Sequence, residues 1–316
     1  MKLAVLFPGQ GSQYIGMGKE FVEQYQECEE LMELADSVCD FPLKTICFEG
    51  PIEELTRAAI VQPALTATNL ICLKALQLHL PPAVEIACYA GHSAGEYSAL
   101  CAASVISPED AIRLVERRGY YMEREGRKNP GGMRAILGLD IEEVEALVEG
   151  YSGNGVVAIA NYNTEKQIVI SGSFEAIDAV SSVAEEKGGK AIALKVSVAN
   201  HSPLVADAVP DFYNFLEEVE FSPPQTPVYF NVCGHVEKKI NDIKHMMAHQ
   251  IATRVRWYEI INRMLADGVD TFLEVGPKAV LKGMMRKIVP KGVEVTSLQF
   301  DSPDLLENCL GKIKIA

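Results

Sequence analysis

The sequence lacks any unbroken apolar run near the roughly 18 residues a membrane helix needs, which argues against a spanning segment. It is also short of positive charge: 29 Lys and Arg stand against 43 Asp and Glu, a formal charge of −14. That balance argues against nucleic acid as a partner, because phosphates need a basic face, and it disfavours non-specific attraction to anionic membranes. Metal-site spacing is missing as well. Cys28, Cys39, Cys47, Cys72, Cys88, Cys101, Cys233 and Cys309 form no CxxC pair and no Cys/His group at zinc spacing. They read as reduced thiols in apolar surroundings. Internal repeats and low-complexity tracts are absent. The apolar start, Leu3 to Phe7, is too short for a signal peptide and is broken by Pro8-Gly9-Gln10-Gly11, so the expected compartment is the cytoplasm.

What is present is apolar material for one large core and a smaller satellite: 316 residues, 48% of them hydrophobic. Short apolar runs alternate with longer helical patterns in the first half, the signature of a mainly parallel α/β sheet. Leu3 to Phe7 and Glu85 to Ala90 read as strands, Glu53 to His79 as a helix interrupted at Pro63, and Gly95 to Ala103 as a helix of small residues. Ser107-Pro108-Glu109-Asp110 supplies a cap, a first-turn proline and acids for a helix running to about Glu125. At Asn129-Pro130-Gly131-Gly132 the pattern changes. Strands at Met133–Leu139, Val156–Ala160, Gln167–Ser171 and Lys190–Val196, with helices at Ile141–Glu149 and from a Ser173 cap to Gly188-Gly189, follow the order βαββαβ of a ferredoxin-like unit. Strand character resumes at Pro227–Val232 and Thr271–Val275. The expected fold is therefore an α/β-hydrolase-like, mainly parallel domain from residues 1–128 and 198–316, with a ferredoxin-like subdomain, 129–197, inserted in it.

Gly91-His92-Ser93-Ala94-Gly95-Glu96 follows a strand and opens a helix. A bare G-x-S-x-G match is weak, but at a sharp strand-to-helix turn it is the setting of a nucleophilic serine. Ser93 is the expected nucleophile, and the Ala94 amide at the helix start points where an oxyanion forms. A serine hydroxyl needs a base, and there are six histidines. His92 adjoins Ser93 and its side chain should diverge, suiting a supporting role. His79, His235, His245 and His249 sit where solvated faces are the ordinary outcome. His201 lies where the chain re-enters the main domain, which makes it the candidate base from position.

These residues closely resemble the malonyl-CoA:acyl carrier protein transacylase family, itself similar to the acyltransferase domains of fatty acid and polyketide synthases. The likeness is collinear over nearly the whole chain. It includes Phe7-Pro8-Gly9-Gln10-Gly11-Ser12-Gln13, Gln62-Pro63-Ala64-Leu65, the Ser93 segment, Arg118-Gly119 and Asn161-Tyr162-Asn163. Gln167 to Gly172, His201-Ser202, Gln250 and Glu274-Val275-Gly276-Pro277 complete it. The resemblance implies that Ser93 is the nucleophile and His201 its base. It further implies that the backbone amides of Gln10 and Ala94 form the oxyanion hole and that the Gln250 carbonyl orients the histidine. Arg118 would grip the malonyl carboxylate, with Gln62, His92, Asn161 and Asn200 completing the substrate site. The implied reaction is ping-pong transfer of malonyl from its coenzyme A thioester to the phosphopantetheine thiol of an acyl carrier protein, with no metal or redox cofactor. An acidic carrier needs a basic patch, for which Arg254, Arg256, Lys282, Arg286 and Lys287 are candidates. Ala94, Asn200, Arg134 and Lys278 depart from the usual family pattern; the first two flank the reacting groups and bear on acyl-group size. A serine hydrolase, a non-catalytic carrier-binding subunit, and a polyketide-pathway or malonate-decarboxylase acyltransferase are the rival readings.

Overall fold

A computed structural model describes residues 1–196 and 198–313. Residue 197, which closes the expected subdomain, and residues 314–316 lie outside the described residues. Strand β1 (Leu3–Phe7) is buried along its whole length, which explains its unbroken apolar run: a central parallel strand is covered on both faces. It is flanked by β2 (Ile86–Gly91). A second, antiparallel sheet is built from β3 (Gly132–Leu137), β4 (Val157–Thr164), β5 (Gln167–Gly172) and β6 (Lys190–Ala193). The chain then returns through β7 (Val228–Tyr229), β8 (Thr271–Val275) and β9 (Thr296–Phe300).

The large sheet has the order β7-β2-β1-β8-β9 with every pairing parallel. From β1 the chain goes first to one side, β2, and only much later to the other, β8. The strand order therefore reverses between β1 and β8, so the C-terminal end of β1 lies at a topological switch point, where open α/β sheets place their ligands. The small sheet has the order β4-β5-β3-β6, all antiparallel, the ferredoxin-like arrangement. The small sheet is tied through β4 to the segment that follows Gln250–Ala252: Tyr162 N–H donates to the Val255 carbonyl at 2.9 Å, and Val255 N–H to that of Ala160 at 2.8 Å.

Several elements differ from the sequence reading. The helix assigned to Glu53–His79 is two, Ile52–Leu55 and Ala58–His79, and Pro63 sits inside the second without ending it. A proline this near a helix start removes one hydrogen bond, and the burial of almost the whole helix outweighs that loss. That helix is also the one long and apolar enough among the described residues to cross a membrane, and it is packed inside the protein. The Ser107 hydroxyl caps Pro108–Lys128. Ser173 precedes its helix but makes no such cap; its hydroxyl instead accepts from Val156 N–H at 3.1 Å. The strand assigned to Lys190–Val196 stops at Ala193, and the one assigned to Pro227–Val232 shrinks to the two residues of β7.

Candidate active site

The turn after β2 is forced by close packing. A Cβ on Gly91 would lie 2.0 Å from the Gly95 carbonyl, and one on Gly95 would lie 2.3 Å from the Phe7 carbonyl oxygen. Both are contacts with backbone, which cannot swing aside. Between them Ser93 adopts φ 51°, a left-handed conformation costly for a residue with a side chain. The helix Gly95–Ala102 starts immediately beyond. Ser93 N–H donates to Asn231 Oδ1 at 2.7 Å, and Asn231 Nδ2 donates to the Gly91 carbonyl at 2.7 Å. Asn231 follows β7 and acts as a clasp on the turn. The amides of Gln10 and Ala94, one after β1 and one after β2, donate to no protein acceptor among the described residues. Gln10 and Ser93 both line a cleft of about 190 Å³ between the two sheets.

His201 also has a positive φ, 57°, held by its own N–H on the Ile251 carbonyl at 2.9 Å. Its Nδ1 donates to the carbonyls of Gln250 at 2.8 Å and Thr253 at 3.0 Å. That pair fixes the tautomer, leaving Nε2 as the acceptor for the Ser93 hydroxyl at 2.8 Å. The partners are two carbonyls of one short turn, with no carboxylate among the described residues. Burial and the Arg118 charge push the imidazole down to about 3, so it stands neutral, able to take a proton.

Arg118 is almost wholly buried. Its Nη1 donates to Gln62 Oε1 at 2.6 Å, and its Nη2 to Gln250 Oε1 at 2.9 Å and to Ser93 Oγ at 3.2 Å. Nε has no partner among the described residues. The neighbour Gly119 makes this reach possible: its α-carbon lies against the backbone of Ala58 and Ala59, where a Cβ would meet the Ala58 carbonyl oxygen at 2.3 Å. Among the described residues the arginine has amide partners and no direct carboxylate. Burial lowers its pKa from the ordinary value, and the neighbouring Tyr97 and Glu96 side chains oppose that.

The other residues singled out in the sequence fall into distinct places. His92 turns away from Ser93: its Nε2 bonds Asn163 Oδ1 at 2.9 Å and its ring meets Trp257 edge-on. Asn161 and Asn200 line the cleft, and Asn200 Oδ1 is buried without a partner among the described residues. Ala94 is buried in the turn. Gln250, which by sequence neighbours an exposed helix face, is fully buried and contributes its side chain as well as its carbonyl. The five basic candidates do not form one free patch. Arg254 pairs with Glu145 at 3.2 Å and Arg256 with Glu259 at 2.8 Å. Lys282, Arg286 and Lys287 have no ion-pair partner among the described residues. Their helix, Val280–Ile288, also lends Val280, Leu281 and Met284 to the cleft wall. Arg134 is occupied with Asp178 at 3.0 Å, and Lys278 takes the strained φ of 61° with its N–H on Asp301 at 2.9 Å.

Three contributors escaped the sequence reading. Asn231 and Thr253 act through tertiary contacts with no local motif. Glu96 lay inside the quoted motif without a role. Its two oxygens accept from Asn231 N–H, at 2.6 Å, and from Gln250 Nε2. Burial pushes its carboxyl up to about 8, against the pull of those two donors and of Arg118.

The arrangement can be set beside known proteins. A family model described as an acyl transferase domain matches residues 5–300. The malonyl CoA-acyl carrier protein transacylase of Bacillus subtilis (strain 168) is 38% identical over 316 residues, covering 99% of this chain and 98% of the relative. The protein of that name from Escherichia coli (strain K12) is 35% identical over 91% of this chain and 93% of its own length. Among solved structures, a malonyl-transacylase in complex with a type II PKS acyl-carrier protein superposes with a TM-score of 0.93 at 33% identity, covering 99% of this chain and all of the other. The transacylase of Clostridium perfringens gives 0.92 at 34% identity, covering 99% and 97%. On the strength of a match that runs through nearly every element of both sheets, this chain belongs to the acyl transferase domain family, as a relative of the malonyl CoA-acyl carrier protein transacylases.

Proposed function

We propose that the protein transfers a malonyl group from malonyl-CoA to the phosphopantetheine thiol of an acyl carrier protein, through a malonyl ester on Ser93, in fatty acid synthesis. One observation carries the reading: Ser93 Oγ is met both by His201 Nε2 at 2.8 Å and by Arg118 Nη2 at 3.2 Å. A base and a carboxylate-binding fork converge on one hydroxyl. His201 takes the proton as Oγ adds to the thioester carbon, and the oxyanion lies between the amides of Gln10 and Ala94. The tetrahedral intermediate collapses, breaking the C–S bond, and coenzyme A leaves as the thiol with the proton from His201. The malonyl carboxylate accepts one hydrogen each from Nη1 and Nη2, two charge-assisted bonds, while Gln62 and Gln250 keep the guanidinium in place. The carrier thiol then gives its proton to His201 and attacks the ester, and Ser93 is restored by the same proton.

The unpaired Lys282, Arg286 and Lys287 beside the cleft suit an acidic carrier, despite the negative overall charge. This reading needs no metal or redox group and implies a cytoplasmic enzyme. A serine hydrolase could use the same serine and histidine; the buried arginine favours a carboxylated acyl group over a neutral ester. Intact mass after brief exposure to a panel of acyl-CoAs tests the proposal. A malonyl adduct should appear, map to Ser93 and vanish in Ser93→Ala with the fold retained. An adduct elsewhere, or free malonate released as fast as coenzyme A with carrier present, would overturn it.

A further inference from the structure

Gln250 touches the base, the guanidinium and the backbone of the nucleophile. Its carbonyl accepts from His201 Nδ1 at 2.8 Å, its Oε1 accepts from Arg118 Nη2 at 2.9 Å, and its Nε2 donates to the Ser93 carbonyl at 3.1 Å and to Glu96 Oε2. A primary amide satisfies these side-chain contacts in one orientation only, because Nε2 meets acceptors and Oε1 meets a donor. Glu96 helps select that orientation from a buried place on the first turn of Gly95–Ala102. Its other oxygen is tied to the Asn231 backbone N–H at 2.6 Å, which cannot turn round.

We propose that Glu96 is a positioning residue for acyl-group selection: by accepting from Gln250 Nε2 it turns the amide oxygen toward Arg118, and so holds the guanidinium at Ser93 where a substrate carboxylate arrives. The proposal rests on Arg118 being the carboxylate-binding group. Glutamine at position 96 is nearly isosteric but offers one acceptor and one NH₂ in place of two acceptors. The fixed Asn231 N–H keeps the oxygen, so the NH₂ faces Gln250. The Gln250 amide must then flip, setting Nε2 against Arg118 and Oε1 against the Ser93 carbonyl, two repulsive contacts. The guanidinium loses its place while His201, held by backbone carbonyls, keeps its own.

The test compares Ser93 loading rates from malonyl-CoA and acetyl-CoA in the full chain, by intact mass, for Glu96→Gln, Arg118→Ala and the double variant, above pH 8, where Glu96 is the carboxylate that accepts at both oxygens. Glu96→Gln should slow malonyl loading about tenfold or more and acetyl loading less than about threefold. In the double variant it should add nothing to the malonyl-to-acetyl ratio left by Arg118→Ala, since both act through one group. Equal losses for the two substrates in Glu96→Gln, or full additivity in the double variant, would overturn the proposal while leaving the arginine's role intact. Equal losses in Arg118→Ala alone would remove the clamp, and the proposal with it. Should Glu96→Gln fail to fold, Gln250→Met removes the amide and leaves the carbonyl on His201. It should depress the same ratio, and an unchanged ratio would overturn the proposal.

Discussion

Replacing Arg118 by alanine separates recognition of the acyl acid from the chemistry of acyl transfer. The guanidinium presents Nη1 and Nη2 to amide oxygens and to Ser93 Oγ, so a malonyl carboxylate can take both nitrogens. Hydrogen bonds to charged groups are worth about 1.5–3 kcal/mol each, and two give about 3 kcal/mol at the low end. At about 1.4 kcal/mol per decade this is a loss of about 10²-fold or more in malonyl loading of Ser93. Acetyl-CoA has no carboxylate to lose. Its loading should change by less than about threefold, since the backbone carbonyls that hold His201, the glycine-framed turn and the two free amides are untouched. The variant should also lose some thermal stability, because Gln62 Oε1 and Gln250 Oε1 are left buried without a donor, at about 1–3 kcal/mol each. Removing a desolvated cation works in the opposite direction. The assay is single-turnover loading followed by intact mass, with malonyl-CoA and acetyl-CoA in parallel. Equal losses for the two donors would refute the argument, because a clamp acts only on the substrate that carries the acid.

The pH profile tests the state of the base: with His201 pushed down to about 3, loading from acetyl-CoA, which does not draw on the Glu96–Gln250–Arg118 contacts, should hold its rate from pH 7.5 to pH 5. An imidazole with the ordinary value near 6.5 would lose about 30-fold over that range, and such a fall would refute the assignment. The same shift has a sign for stability. The unfolded chain takes up a proton between pH 6.5 and 3 that the folded one does not, so this contribution is present above pH 6.5 and lost as pH falls. Gly95→Ala should fold poorly or lower the thermal midpoint by about 5 °C or more, because its Cβ meets backbone oxygen at 2.3 Å; an unchanged midpoint would show that the turn can relax. Charge reversal at Lys282, Arg286 and Lys287 together should raise the KM for carrier protein and flatten its salt dependence, while loading from malonyl-CoA stays within about twofold. A carrier KM that does not move would place the docking face elsewhere.

What the sequence made legible was short in range. The strand-turn-helix around Ser93 needs only local apolar runs and two glycines, and the Ser107 cap with Pro108 needs four consecutive residues. The inserted βαββαβ order could be read because each of its elements carries its own pattern. β9 and the brevity of β7 could not, since both depend on where the edges of the large sheet fall. Pro63 misled because local propensity ends a helix there, whereas the surrounding core holds Ala58–His79 together. Asn231, Thr253 and the side chain of Gln250 were hidden for a related reason. Each acts across a tertiary contact, and an asparagine after a strand or a carbonyl in a turn carries no signature. Ion pairing splits the basic cluster in the same way: Glu145 and Glu259 claim Arg254 and Arg256, and only the folded chain reveals it.

The absence of a carboxylate behind His201 has a physical rationale in the position of Arg118. Base and guanidinium meet the same Ser93 oxygen. An aspartate accepting from His201 Nδ1 would place a second anion close to a buried cation that has no direct carboxylate partner. In a site of low dielectric, that anion would compete with the substrate's own acid for the arginine. Two backbone carbonyls orient the imidazole without adding charge, and the guanidinium stays open to malonyl. The cost is an imidazolium less stabilised than in a triad with an acid. A malonyl group bound at Arg118 brings a carboxylate to the site during the transfer steps and lessens the repulsion between guanidinium and imidazolium. Acetyl brings none. If Arg118 holds the acyl acid as proposed, the electrostatics that select it at binding also favour it in the proton-transfer step.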